Sequence, residues 1–221
     1  MAHVPATAVA ELYARGLAGS EPRLLARDED GRARPLQLQR WLGSPTAADH
    51  DVLARAIAPV LDVGCGPGRH VLALMRAGRR AVGVDIAPAA VRVARDRGAE
   101  AIEGSIFADV PGAGSWGSAL LLDGNIGIGG HPGALLARVA SLLRPAGRLL
   151  VEFEPPEADT ITQLLRLEGK AQVSSWFRWS TVSVAAVGEL AEATGLTVSE
   201  TWEMEGRWFA ELERGSAAAP R

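Results

Sequence analysis

The chain has 221 residues, of which 48% are apolar and 22% charged, and its formal net charge is -3 at pH 7. This length and balance fit a soluble globular protein of one ordinary domain or slightly more, and they argue against a dedicated nucleic-acid binder, which usually carries a basic face. Cys65 is the only cysteine, which excludes an internal disulfide, and no apolar run reaches the length of a membrane span.

The first 57 residues predict an N-terminal segment with its own elements. Apolar residues recur at helical spacing over 6–18, which indicates an amphipathic helix. The turn signal Asp30-Gly31 separates two short segments, 24–27 and 33–38, and Thr46 is a plausible N-cap for a helix that ends near Ile57. The start of the chain lacks the basic residues and unbroken apolar stretch of a secretory signal, so we expect a cytoplasmic location.

From residue 58 onward, short apolar runs alternate with amphipathic stretches. The runs predict five strands, at 60–63, 81–85, 101–103, 119–122 and 149–153. Between them the pattern predicts helices at 69–77, from Pro88 to just before Gly98, and at 132–143. This alternation predicts an α/β fold whose parallel sheet is connected by right-handed crossovers.

Near the end of the chain the alternation stops. A helix is predicted at about 184–193, and two strands follow at 196–204 and 207–212. Only Glu205-Gly206 separates these strands, and so short a link forces an antiparallel pair. We therefore divide the chain into an N-terminal helical segment (1–57), a main domain (58–214) and a small polar tail (215–221) predicted to be disordered.

A glycine-rich loop follows the strand predicted at 60–63. Gly64, Gly66 and Gly68 allow the sharp turn from strand to helix and leave room for a ligand against the backbone. In open α/β sheets, ligands bind at this carboxyl edge. Asp85 ends the next strand, 17 positions after Gly68, where an acid can accept hydrogen bonds from both hydroxyls of a ribose. The sequence therefore predicts a nucleotide-like ligand.

The stretch from Val60 to Gly68 reads VLDVGCGPG and resembles the first motif of the class I S-adenosylmethionine-dependent methyltransferases. Nicotinamide-binding proteins share the loop geometry, but their glycines are spaced G-x-G-x-x-G and not G-x-G-x-G as here. The resemblance extends to about residue 213 and includes the final hairpin. It implies a Rossmann-like, doubly wound, mostly parallel sheet of seven strands, with S-adenosylmethionine as cofactor.

The resemblance also implies roles for single residues. Asp62 and the backbone of Gly64 would contact the methionine part of the cofactor, in the loop that Cys65, Gly66 and Gly68 complete. The residues implied to contact the rest of the cofactor are Asp85 at the ribose, Ile86 beside the adenine, Ser105 and Ile106 at the adenine edge, and Asp123 and Gly124 facing the methyl group. Many members carry an acid where this chain has Ser105, so the partner of the adenine amine is uncertain on this pattern.

The segment 123–130 contains four glycines in eight residues and resembles small methyltransferase-domain proteins of GC-rich bacteria. Two interpretations stay open for it: tight backbone packing, or contact of residues such as Asn125 with the cofactor or the acceptor. We favour contact, because the segment lies at the carboxyl edge of the sheet.

The sequence identifies no catalytic residue. His131 is a weak candidate for a general base, because it follows the glycine-rich segment near the expected acceptor. Trp176 and Trp179 are candidates for an apolar wall around a ring-bearing acceptor, with ordinary core packing as the alternative. Tyr13 belongs to the N-terminal segment, which we expect to cover the site as a lid. The histidines lack the spacing of a metal site, so no metal is predicted.

The function predicted from these features is methyl transfer to a small-molecule acceptor by direct in-line displacement. The alternatives are a methyltransferase of protein or nucleic acid and a non-catalytic cofactor-binding or partner-binding protein on the same fold. The chain lacks an Asn-Pro-Pro-Tyr type motif and a Pro-Cys nucleophile, so nucleic acid is the less favoured acceptor. The acceptor atom and the oligomeric state cannot be read from the sequence.

Overall fold

The computed structural model describes residues 6–215. Its α-helices are α1 (Val9–Leu17), α2 (Leu38–Leu42), α3 (Ala47–Ala54), α4 (Arg69–Arg76), α5 (Pro88–Asp96), α6 (Pro132–Leu142) and α7 (Val187–Ala193). Its strands are β1 (Ala6–Thr7), β2 (Leu25–Asp28), β3 (Ala33–Pro35), β4 (Val60–Val63), β5 (Ala81–Asp85), β6 (Ala101–Glu103), β7 (Trp116–Leu121), β8 (Leu143–Phe153), β9 (Ile161–Glu168), β10 (Val173–Ser174), β11 (Phe177–Thr181), β12 (Leu196–Met204) and β13 (Arg207–Arg214).

Seven strands form the main sheet, in the order β12-β13-β8-β7-β4-β5-β6. The five strands from β8 to β6 are parallel, and β13 pairs antiparallel with both β8 and β12. Helices cover both faces, because parallel strands need crossovers and each crossover buries one face. The predicted fold class, a doubly wound sheet with a C-terminal antiparallel hairpin, is confirmed.

The core of the main domain lies on the two faces of this sheet. One face packs Leu121 and Val151 against Leu135 of α6 and Val187 of α7. The other packs residues such as Leu120 and Leu150 against α3, α4 and α5. All four residues of β4 are buried, which accounts for its unbroken apolar pattern around one acid, Asp62.

A second sheet brings together two parts of the chain that are far apart in sequence. Its strand order is β1-β10-β9-β2-β3, and β11 also pairs with β9. The hairpin expected around Asp30-Gly31 is present as β2 and β3, so the N-terminal segment contributes strands as well as helices. The sequence analysis did not predict β9, β10 or β11, which follow the last parallel strand.

The second sheet is held on the main domain by a third apolar cluster. Leu12 of α1, Leu24 before β2 and Leu167 of β9 pack together with Ala87 and Ala90 from the start of α5. Because this cluster joins the N-terminal segment, the β9 strand and the main domain, the second sheet is a fixed part of the folded chain.

Two sequence-based expectations concern the ends of the chain and its relation to membranes. The tail predicted at 215–221 lies outside the described residues except for Gly215. Between residues 6 and 215, no helix is both long enough and apolar enough to cross a membrane.

Truncation of Leu167 tests whether the second sheet is integral to the fold. Leu167 is buried in the third cluster, whereas Ile161, on the same strand, is 42% exposed. We expect Leu167→Ala to lower the free energy of unfolding by about 2–4 kcal/mol and Ile161→Ala by less than about 1 kcal/mol, measured by urea denaturation. Equal losses for the two variants would contradict a fixed second sheet.

Candidate active site

A cavity of about 1220 Å³ lies at the carboxyl edge of the main sheet. Its floor is formed by the ends of the parallel strands and the loops that follow them, including Gly64, Asp85 and Asp123. The second sheet and the helices α1 and α2 supply the remaining walls. The glycine loop and the N-terminal segment thus line one cavity at the edge of the parallel sheet.

The glycine loop after β4 has a conformation that side chains would obstruct. Gly64 has φ +71°, and a Cβ added there would lie 2.7 Å from Nδ2 of Asn125. A Cβ on Gly68, at φ +81°, would lie 2.9 Å from the Cβ of Ala99. Gly64 therefore lines the cavity beside Asn125, whereas Gly68 packs against the end of α5 and does not line the cavity.

The carboxylate of Asp85 holds the backbone of two loops. Its oxygens accept hydrogen bonds of 2.8 Å from the N–H groups of Gly66 and Ala87. Burial raises the pKa of Asp85, although these two hydrogen bonds act in the opposite direction. Because each oxygen has a further lone pair, a carboxylate in this position can also accept hydrogen bonds from ligand hydroxyls.

The glycine-rich segment after β7 packs against its neighbours at one point and lines the cavity at another. Nδ2 of Asn125 donates hydrogen bonds of 2.9 Å to the carbonyls of Val63 and Gly64, and so ties this segment to the first loop. Gly127 lies so close to Trp179 and the Ser180 carbonyl that a Cβ would not fit. Packing against β11 therefore explains Gly127, while Gly124 and Asn125 line the cavity.

Charged side chains form a network beneath one end of the cavity. Asp49 of α3 pairs with Arg69 of α4 and, at 2.7 Å, with Arg207 of β13. Arg69 also donates to Asp123 at 2.6 Å, and Arg207 binds both oxygens of Glu152 at 2.8 and 2.7 Å. Side chains from five separate parts of the chain are thus linked across the edge of the sheet.

The network fixes the backbone at the end of β7. Asp123 has φ +56°, a conformation that is uncommon for residues other than glycine. Its N–H donates to Glu152 at 2.6 Å, and its side chain accepts from Arg69. These contacts hold the strained residue in place at the edge of the cavity.

His70 lies inside this network and lines the cavity. Its Nε2 lies 3.5 Å from Oδ1 of Asp49, and its Nδ1 lies 3.7 Å from Oδ2 of Asp62. Burial by itself lowers the pKa of a histidine, but the contacts with Asp49 and Asp62 outweigh burial and raise the pKa of His70 to about 9. His70 is therefore held as a cation at neutral pH.

One face of the second sheet forms the wall opposite this network. Cross-strand partners share a face, and the pairs Ala26–Leu167 and Leu165–Phe177 line the cavity together with Trp179. The wall is largely apolar, and the polar residues of the second sheet that line the cavity are Arg34, the cross-strand partner of Ala26, and Arg178, Ser180 and Thr181 of β11. The cavity thus has a charged floor on one side and an apolar sheet face on the other.

The structure places most of the predicted site residues on the cavity. These are Tyr13, Gly64, Cys65, Gly66, Asp85, Ile86, Ser105, Ile106, Asp123, Gly124, Asn125 and Trp179. Tyr13 covers the loop, since its hydroxyl lies 3.2 Å from the point where a Cβ on Gly66 would be, and its ring packs edge-on against Trp41. The expected cover over the site is therefore formed by α1 and α2 together with the second sheet.

Four of the predicted residues do not line the cavity. Gly68 packs against α5, and Asp62 is buried beneath the loop, facing His70. Trp176 is 42% exposed and lies under the guanidinium of Arg166, at 4.8 Å from its ring centroid. His131 is exposed at the N-cap of α6, so the structure offers no support for it as a general base.

Apart from Asp123, sequence reasoning missed the members of the charged network. Asp49 reads as an ordinary capping residue of α3, where it does complete a capping box with Thr46. His70, Glu152 and Arg207 were not predicted as site residues. The position of a glutamate near the carboxyl end of a buried parallel strand is the signal from which Glu152 could have been found.

The acidic side chains that line the cavity differ in whether other groups of the protein already donate hydrogen bonds to them. Asp85, Asp123 and Glu152 accept hydrogen bonds from backbone N–H groups or arginines. Glu154, just beyond β8, also lines the cavity and has no side-chain partner within residues 6–215. Burial raises the pKa of both Tyr13 and Cys65, so neither is ionised near neutral pH. Among the described residues that line the cavity, Glu154 is thus the acid whose carboxylate is free to accept a proton.

Comparison with known proteins finds a match for the part of the chain that contains the glycine loop and Asp85. A family model described as a methyltransferase domain matches residues 60–147, and no curated protein sequence matches the chain. A SAM-dependent methyltransferase from Bacteroides fragilis, solved with S-adenosyl-L-homocysteine, is 23% identical with a TM-score of 0.77, over 97% of this chain and 98% of that one.

Two further solved structures share the fold. The 1,6-didemethyltoxoflavin-N1-methyltransferase of Burkholderia thailandensis, solved with 1,6-didemethyltoxoflavin and S-adenosylhomocysteine, is 22% identical with a TM-score of 0.57, over 98% of this chain and 94% of that one. An amino pentose methyltransferase of Micromonospora echinaspora, solved with SAM, is 20% identical with a TM-score of 0.57, over 80% and 94%. Residues 60–147 thus match a methyltransferase-domain model, and the chain has the fold of these S-adenosylmethionine-dependent methyltransferases.

Proposed function

We propose that the protein transfers the methyl group of S-adenosylmethionine to a small-molecule acceptor by direct in-line displacement. The observation that carries this proposal is that the glycine loop and Asp85 lie in the same cavity as an apolar wall formed by the second sheet. A volume of about 1220 Å³ exceeds that of a typical single-ligand pocket, so the cavity suits a cofactor and an acceptor side by side. The Bacteroides and Burkholderia structures with bound S-adenosylhomocysteine support the choice of cofactor.

The residues of the loop side fit the parts of this cofactor. Asp85 would accept hydrogen bonds from the ribose hydroxyls, and Ile86, 72% exposed at the cavity, would pack beside the adenine with Ser105 and Ile106 at its edge. Arg40 lines the cavity, and its buried Nε and Nη2 make no hydrogen bond, although Nη2 lies 3.4 Å from Oδ1 of Asp123; Arg40 would bind the carboxylate of the methionine part. The bound cofactor would supply an activated methyl group on a sulfonium.

The acceptor would bind against the second sheet. Leu165, Phe177 and Trp179 present an apolar surface that suits a ring-bearing molecule. The sheet that forms this wall is packed on the main domain by the third cluster, so the space lies between two fixed walls. A deep space of this kind favours a small molecule over a side chain of a folded protein. The Burkholderia neighbour, which has 1,6-didemethyltoxoflavin bound, is consistent with this choice.

Glu154 would act as the general base for an acceptor that carries an O–H or N–H group. Methyl transfer itself depends mainly on the position of the nucleophile and the exclusion of water, and a base is needed where the acceptor must lose a proton. The other acids on the cavity are held by arginines or backbone N–H groups. A cytoplasmic location, expected from the sequence, stays a prediction.

Replacement of Asp85 tests the cofactor site. We expect Asp85→Ala to weaken the binding of S-adenosylhomocysteine by at least about tenfold, because hydrogen bonds to a charged group are lost. Asp109→Ala, which removes an exposed carboxylate, should leave binding unchanged. Calorimetric titration measures both variants, with NADH as a second ligand. If the wild-type protein binds NADH and not S-adenosylhomocysteine, or binds neither ligand, the proposed cofactor is contradicted.

Replacement of Gly64 tests the shape of the loop. A Cβ at this position, with φ +71°, would press on the side-chain amide of Asn125. We expect Gly64→Ala to lower the free energy of unfolding by about 1–3 kcal/mol and to weaken thioether binding. Gly188→Ala, in helix α7 with nothing within 4 Å of the added Cβ, is the control and should be neutral or stabilising. Identical behaviour of the two variants would argue against the loop as the ligand site.

Glu154→Gln tests the base. Release of S-adenosylhomocysteine in the presence of simple phenols and aromatic amines identifies a usable acceptor, and the variant is then compared with wild type. We expect kcat to fall by about 100-fold or more while thioether binding stays unchanged. Glu157→Gln, an exposed neighbour, should retain full activity. An unchanged kcat in the Glu154 variant would show that transfer needs no base at this position, and thioether binding without turnover would favour the non-catalytic alternative.

A further inference from the structure

His70 has carboxylates facing both of its ring nitrogens. Asp49 lies 3.5 Å from Nε2, Asp123 lies 4.0 Å from the same atom, and Asp62 lies 3.7 Å from Nδ1. A neutral imidazole would point a lone pair at one of these anions, whereas an imidazolium presents a proton to each side. The placement of carboxylates on both sides therefore favours the charged form, in a site where His70 is buried.

The charges around His70 balance only when it is protonated. The groups that face it or join its partners come from every element packed against it. They are the carboxylates of Asp49 (α3), Asp62 (β4), Asp123 (after β7) and Glu152 (β8), and the guanidiniums of Arg40 (α2), Arg69 (α4) and Arg207 (β13). Four carboxylates thus face three guanidiniums, and the proton on His70 supplies the fourth positive charge.

We propose that the imidazolium of His70 determines how strongly the site prefers S-adenosylmethionine, whose sulfur is positively charged, over the neutral thioether product. This inference rests on the proposed function, because it assigns the end of the cavity lined by His70, Asp123 and Arg40 to the methionine part of the cofactor. His70 is a positioning residue in this role, since it acts through the charge of the network and does not need to touch the reacting atoms.

The sign of the effect follows from the charge of the donor. With His70 protonated, the network has no net charge and attracts the sulfonium little. Loss of the proton leaves one excess negative charge, which stabilises the sulfonium and has little effect on the thioether. The pKa of His70, raised to about 9 by Asp49 and Asp62 against the effect of burial, keeps the proton in place at neutral pH.

A neutral network is also suited to the reaction. In the transfer, the bond between the methyl carbon and sulfur breaks, its electron pair stays on sulfur, and a bond forms from the acceptor atom to the methyl carbon. The positive charge at sulfur therefore falls on the way to the transition state. An excess negative charge nearby would stabilise the bound donor more than the transition state, so protonated His70 favours turnover.

The test compares two ligands across pH. The ratio of the Kd of S-adenosylhomocysteine to that of S-adenosylmethionine is measured by calorimetry between pH 7 and 9.5 for wild type, His70→Asn and His50→Asn. The α-amino group titrates at a lower pH in S-adenosylmethionine than in S-adenosylhomocysteine because of the positive sulfonium, so each Kd is first corrected for the ionisation of the free ligand. The raised pKa values of Tyr13 and Cys65 keep these cavity groups from titrating in this range. His50 is exposed, which makes its variant the matched control.

We expect the ratio to rise by about threefold or more with pH in wild type and His50→Asn, and to be high at pH 7 and flat in His70→Asn. A flat ratio in wild type, or a rise that persists in His70→Asn, would overturn the inference. If wild type binds neither ligand, the proposed function fails as well; if it binds both with a flat ratio, only this inference fails.

A second measurement needs no variant and covers the case in which His70→Asn does not fold. Binding of a cation near His70 should release its proton, so at pH 8.5 S-adenosylmethionine should release more protons than S-adenosylhomocysteine does. Titrations in two buffers of different ionisation enthalpy give the number of protons released. Equal release by the two ligands would overturn the inference.

Discussion

The carboxylate of Asp49 is completely buried and accepts hydrogen bonds from Arg69 and Arg207, and the arrangement of the cavity floor depends on these contacts. A buried carboxylate is costly to remove from water unless it is paired and hydrogen-bonded. The pairing holds the pKa of Asp49 well below its usual range: burial would raise it, but the contacts with His70, Thr46 and Arg207 outweigh burial. Because the arginines come from α4 and β13, their pairing with one acid fixes both elements against α3.

From Asp49 the network continues to the residues that line the cavity. Arg69 holds Asp123 in its strained backbone conformation, and Arg207 holds Glu152, which in turn accepts from the Asp123 N–H. The segment that follows Asp123 is then tied to the glycine loop through Asn125. The cavity floor is therefore preorganised by paired charges, while its opposite wall is an apolar sheet face, a combination suited to a charged cofactor beside an apolar acceptor.

Local pattern predicted the main sheet well and the second sheet poorly. The strands β4 and β7 are wholly buried and the end of β8 nearly so, and these strands read as apolar runs, so their type follows from the sequence. The strands β9 and β11 carry apolar residues such as Leu165 and Phe177 on the face that meets the cavity, and their other face is largely polar. The strand β11 pairs with nearby β9, but β9 also pairs with β2, which lies more than a hundred residues away, and no local signal reports that pairing.

The sequence by itself determined the doubly wound fold, the glycine loop and Asp85, because a strand, a tight turn and a helix lie within a few residues of one another and leave a local signal. Only the tertiary structure decided which charged groups meet beneath the loop and what forms the opposite wall. His70 and Asp62 are eight positions apart, but Asp49, Asp123 and Arg207 reach them from distant elements. Whether a histidine is a solvated helix residue or a buried cation depends on those distant carboxylates, and the spacing of residues in the sequence does not predict which of them will lie near it.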